Sequence, residues 1–147
     1  FYTNLVESAQ SDVNVFHKRL KKYLLILTSS LIPMALIMMA FPEFIVRTLY
    51  GRGAFDEEAI ALTSSVLFWY ALAFIFINLK DFMMKSTMAA SHNKAIVWLT
   101  LLGVILNVIL SFLLGPAMGP EGIALASAIA MGIQTLANYI YLRKIVK

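Results

Sequence analysis

The chain has no cysteine and little charge. Of its 147 residues, 14% are charged and 61% hydrophobic, against about 25% and roughly 45–50% in a water-soluble domain. Without cysteine, disulfides, thiolate chemistry and soft metal sites are excluded together. Charge is missing above all from four long stretches, residues 23–42, 59–79, 95–120 and 122–142. Each matches the ~20 residues that cross ~30 Å of hydrocarbon as a helix. These stretches exclude a soluble reading and predict an all-α, polytopic membrane protein with four transmembrane helices.

The net charge of +4 does not point to nucleic acid, because the basic residues are set out by the spans and not gathered on one surface. Lys18, Arg19, Lys21 and Lys22 precede the first span. Lys80, Lys85 and Lys94 lie between the second and third, and Arg143, Lys144 and Lys147 follow the fourth. All ten fall on one side, while Arg47 and Arg52 are the two on the other. Lys and Arg concentrate in short cytoplasmic loops, so both ends of the segment are predicted to be cytoplasmic. The chain opens on Phe1 without a charged n-region or short apolar run, so it shows no signal peptide and reads as a piece of a longer protein.

Along the chain, residues 1–22 read as a cytoplasmic amphipathic approach segment. Val13, Phe16, Leu20 and Leu24 recur at helical spacing behind a cap at Ser11 or Asp12; the same periodicity also fits a simple continuation of the first span. The first span, 23–41, carries Ser29, Ser30 and Pro33, which predicts a bend that serves as a hinge or as a fixed packing feature. Residues 42–58 are assigned to an external interfacial helix starting at Pro42, followed by a Gly51-Arg52-Gly53 loop and a cap at Asp56. The second span, 59–79, is rich in aromatics. A cytoplasmic connection, 80–94, precedes the third span, 95–114, and an external Gly/Pro loop, 115–121, precedes the fourth, 122–142, with a tail at 143–147. Gly122, Ala126 and Ala130 stand four apart, as do Ala124, Ala128 and Gly132. Such stripes let helix backbones approach closely, which predicts a tight hairpin of spans three and four.

No Ser-His-acid set, phosphate-cradling loop or metal-spaced cluster can be assembled, so an enzyme and an organic cofactor are disfavoured. His17 and His92 both fall in connections, and His92 reads as a solvated loop residue. Inside the spans the polar inventory is uncharged. Gln134 and Asn138 suit interhelical hydrogen bonds. Asn107 and Ser111, at i and i+4, share a face opposite Ser127; their oxygens suit either a packing contact or a hard cation such as Na⁺. Arg47 and Arg52 are candidates for an external gate or substrate contact, with an ordinary interfacial role as the alternative.

The run Leu49-Tyr50-Gly51-Arg52-Gly53-Ala54-Phe55-Asp56, followed by Leu62-Thr63 and Tyr70-Ala71-Leu72, resembles the MurJ (MviN) family of lipid II flippases. Pro33, Asn107, the Gly122-Ile123-Ala124-Leu125-Ala126-Ser127 opening and the closing Leu142-Arg143-Lys144 add to the resemblance, which covers essentially the whole chain. It implies helices nine to twelve of a fourteen-helix, MATE-like transporter, part of its second lobe, in the bacterial cytoplasmic membrane. It implies as partners membrane lipid, the lipid-linked peptidoglycan precursor and the remaining helices of the transporter. It also implies a coupling cation or the membrane potential, which brings Asn107, Ser111 and Ser127 forward. Where the family usually reads Phe-Tyr-Ala and then Asp-Thr-Lys-Thr-Pro, this chain has Thr87-Met88-Ala89-Ala90-Ser91-His92-Asn93-Lys94-Ala95-Ile96. That departure leaves open another lipid-linked saccharide or a drug as cargo, and a non-transporting scaffold is the alternative of a different class.

Overall fold

The computed structural model describes residues 13–51 and 56–145, all but a few of them in five helices. These are α1 (Val13–Ala40), α2 (Pro42–Tyr50), α3 (Glu57–Ala89), α4 (Asn93–Met118) and α5 (Pro120–Ile145). Four of them, all but α2, are long and apolar enough to cross a membrane. The caps proposed at Ser11 and Asp12 lie outside the described residues.

α1 runs unbroken from its basic first turns through Pro33, so residues 13–22 are the start of the spanning helix and not a separate element. Proline leaves the carbonyl four residues back without its usual partner. Nearby, the Ser29 and Ser30 hydroxyls donate to the carbonyls of Ile26 and Leu27 at 2.9 and 2.8 Å, which satisfies them inside an apolar helix. Phe41 alone separates α1 from α2, which begins on Pro42 with Glu43 in its first turn. Pro at this position gives up an N–H that the helix start leaves orphaned anyway.

Asp56 caps α3, its Oδ1 accepting from the Ala59 amide at 2.8 Å. α3 then continues for 33 residues, about 50 Å at 1.5 Å per residue. The segment 80–94, expected as a connection, is therefore helical through Ala89, and the chain reverses within residues 90–92. Ser91 turns there with φ of 62°, a left-handed conformation uncommon outside glycine. The expected loop 115–121 is shorter still. α4 passes through Pro116 to Met118, Gly119 alone makes the turn at φ of 64°, and α5 starts at Pro120. Glycine is required there because the turn needs positive φ.

α5 lies between α3 and α4 and packs along both. Its two stripes of small residues serve the two neighbours. Gly132 abuts the Phe76 ring of α3, whereas a Cβ on Gly122 would stand 2.3 Å from the Leu114 carbonyl oxygen of α4. Ala124, Ala126, Ala128 and Ala130 are all buried. In lipid there is no hydrophobic drive between helices, so this close van der Waals contact is what holds the hairpin. At the basic end, Phe16 and Leu20 of α1, Met83 and Ala89 of α3 and Leu142 of α5 form an apolar cluster.

Candidate functional site

Several polar side chains of the spanning helices meet across the faces of α5. On the α4 side, Asn107 Nδ2 donates to Ser127 Oγ at 3.0 Å, and Ser111 Oγ approaches Asn107 Oδ1 at 3.4 Å. Ser127 Oγ donates in turn to the Ile123 carbonyl at 3.1 Å. The structure thus brings together the three residues singled out from the sequence. The oxygens available to a hard cation are Asn107 Oδ1, the two serine hydroxyls and the Ile123 carbonyl, all neutral, and the Asn107 amide N–H points into the same junction. One turn or two further along, Gln134 Nε2 donates to the Leu99 carbonyl at 2.9 Å. Gly103 makes room for it, since a Cβ there would stand 2.3 Å from Gln134 Oε1.

On the α3 side, the Thr87 hydroxyl donates to its own-helix Met83 carbonyl at 3.0 Å, and its Oγ1 stands 3.3 Å from Asn138 Oδ1. Both side chains are fully buried. Thr135 Oγ1 reaches the Phe76 carbonyl at 3.4 Å. Gln134 and Asn138 each tie α5 to a different neighbour, and Asn138 Nδ2 is buried without a hydrogen-bond partner among the described residues. Towards the Gly119 turn, Ser65 of α3 donates a short hydrogen bond to Glu121 Oε1 of α5. The sequence reading left Glu121 in a loop. Its signal was the pair Pro120-Glu121, the same Pro-Glu start that marks α2, with the acid favoured in the first turn by the helix dipole.

A cavity of about 340 Å³ opens between α3, α4 and α5, lined among others by Lys80, Asp81, Thr100, Asn107 and Gln134. Lys80 Nζ lies 3.1 Å from Asp81 Oδ1. Both belong to the helical continuation of α3, so they sit beside α4 and not in a solvated connection.

At the opposite end, Arg47 of α2 grips α3. Its guanidinium donates to both carboxylate oxygens of Glu57, at 2.8 and 2.7 Å, and to Glu43 at 3.0 Å. A planar guanidinium matches a carboxylate bidentately. The hydrogen bonds from Arg47, and then its charge, hold the Glu57 carboxyl below the ordinary carboxylate range, and the same partners raise Arg47. Arg52, the other expected gate residue, lies outside the described residues. His92 is not wholly solvated either: its Nδ1 stands 3.5 Å from the Tyr141 hydroxyl of α5 and the two rings meet edge to face.

Residues 4–147 match the family described as lipid II flippase MurJ. The chain belongs to that family. A probable lipid II flippase MurJ of Thermotoga maritima is 31% identical over 127 residues, which is 86% of this chain and 26% of the relative. A lipid II flippase MurJ of Thermosipho africanus is 32% identical over 95 residues, 65% of this chain and 20% of the relative. The chain thus spans a fifth to a quarter of the length of these relatives. Among solved structures, a lipid II flippase MurJ in an inward closed conformation superposes with a TM-score of 0.79 at 25% identity, over 96% of this chain and 30% of that one. This family membership and the four apolar helices make the protein a multi-pass membrane protein with a MurJ-like fold.

Proposed function

We propose that this chain is part of a flippase that carries the lipid-linked peptidoglycan precursor, lipid II, from the cytoplasmic to the outer leaflet of the bacterial inner membrane by alternating access. The observation that carries the reading is the match to the MurJ family along residues 4–147. The solved relative is a lipid II flippase MurJ in an inward closed conformation. The segment works as a transporter element and not as an enzyme, with both ends cytoplasmic, a placement supported by ten basic residues against two. The remaining helices of the transporter and membrane lipid are its partners. Complementation of a flippase-depleted bacterium by the intact gene tests this: growth returns and lipid II appears in the outer leaflet. Expression in the membrane without either result sinks the proposal. A reporter fused after Lys147 that is active only outside the cytoplasm tests the orientation, and activity there would reverse it.

For Asn107, Ser111 and Ser127 the geometry supports a clasp between α4 and α5. A coupling Na⁺ at the same oxygens makes a different prediction, stabilisation of the intact protein by Na⁺ over K⁺ that disappears in Asn107→Ala. For Arg47 we infer a strut that fixes α2 on α3, because Glu57 and Glu43 already occupy its donors.

A further inference from the structure

α1 and α5 both pack on α3 but make no close backbone approach to each other. A trough of about 780 Å³ is left between them, open along one side. Phe76, Leu79 and Met83 of α3 form its floor, Leu25 of α1 and Leu136 of α5 stand on its walls, and its surface is almost wholly apolar. One end carries a different chemistry. Lys18, Lys21 and Lys22 line the rim there, all exposed and without an ion-pair partner among the described residues. Tyr139 of α5 is at the same trough, an apolar ring with a polar tip suited to a headgroup boundary. From Lys18 to Thr28, both on its lining, α1 rises about 15 Å. That is half of the ~30 Å hydrocarbon thickness, the depth of one leaflet.

A transmembrane helix packed into this trough would need acidic residues at its end to meet three lysines. A lipid with a negative headgroup meets both chemistries at once, and basic pockets between spanning helices on the cytoplasmic side are suited to such headgroups. We propose that the trough binds one anionic phospholipid of the cytoplasmic leaflet, its phosphate at Lys18, Lys21 and Lys22 and its acyl chains over Leu25, Phe76 and Leu136. The site is independent of the transported substrate and rests on the orientation proposed above and on the trough facing lipid in the intact protein.

The experiment uses the intact purified protein with phosphatidylglycerol or phosphatidylcholine carrying photoreactive acyl chains, with cross-links mapped by peptide mass spectrometry and retained lipid counted by native mass spectrometry. Phosphatidylglycerol is expected to be retained at least about tenfold over phosphatidylcholine and to mark residues 24–28 and 132–139. Each of Lys18→Gln, Lys21→Gln and Lys22→Gln should lower its affinity about fivefold. Gly132→Leu, which places bulk in the trough, should remove the cross-links while the lysines remain. Arg143→Gln with Lys144→Gln removes charge at the same end but off the trough, and should change neither readout. Three results would overturn the proposal: equal labelling by both lipids, an equal loss from the Arg143 and Lys144 changes, or no labelling of these residues because another helix covers them.

Discussion

Helices α4 and α5 are each 26 residues long and lie side by side, yet they bury very different shares of themselves. In the most apolar stretch of α4 only 6% of residues are buried, against 39% in the less apolar α5. Phe112, Trp98, Val97 and Leu113 of α4 are among the most exposed large side chains in the structure, whereas the alanines of α5 are sealed. In water this ordering would be backwards. In lipid it follows directly, because the solvent is as apolar as leucine and contact is won by small residues that bring backbones together and by polar side chains that find partners across the gap. Hydropathy in such a protein identifies what can face lipid, while small-residue spacing identifies what packs.

The comparison can be broken at its tightest point first. Gly122→Ala puts a methyl 2.3 Å from the Leu114 carbonyl oxygen, a backbone atom that cannot swing aside. We expect a loss of about 2–3 kcal/mol, read as a lowered thermal midpoint of the intact protein in detergent; an unchanged midpoint would mean that the hairpin is looser than this. Next comes Asn107→Ala, which removes the links to Ser127 and Ser111 and should cost about 0.6–1.7 kcal/mol in the same measurement. By contrast Phe112→Ala, at a side chain 78% exposed, should change stability by less than about 0.5 kcal/mol. A core-sized loss there would show that another part of the protein covers that face of α4.

The smallest effect is a pH dependence at the α2 end. The folded-state pKa of Glu57 is depressed by Arg47, so its contribution is present above the unfolded carboxylate range and fades as pH falls through the lower, folded value. The protection of α2 amides, corrected for the intrinsic pH dependence of exchange, should therefore fall as the solution is acidified below that range, and Glu57→Gln should remove this fall. Corrected protection that ignores pH in the wild type would leave Arg47 free for another role.

Much of this was legible before any fold existed. The four spans followed from the length of their uncharged runs. The resemblance to the flippase family rested on residues 49–56, a local motif. The small-residue stripes announced the α4–α5 contact, because a period of four on a helix is a face. Asn107, Ser111 and Ser127 could be placed together for the same reason, since two are one turn apart and the third opens the next helix.

What stayed hidden was pairing across long separations. Arg47 read as a gate candidate because nothing local says that Glu57, ten residues on and beyond two glycines, will turn back to meet it. The link from Ser65 to Glu121 spans 56 residues and that from Thr87 to Asn138 spans 51, and no periodicity carries such information. Lys80 and Asp81 looked like connection residues because charge ends a hydropathy window, although backbone hydrogen bonds carry α3 on to Ala89. Sequence alone determined which segments cross the membrane and which family they belong to, because lipid solvation and local motifs act on contiguous residues. Only the tertiary structure decided which polar groups satisfy one another, and that α1 and α5 leave a basic-rimmed trough over α3, because both depend on how separate helices lie together.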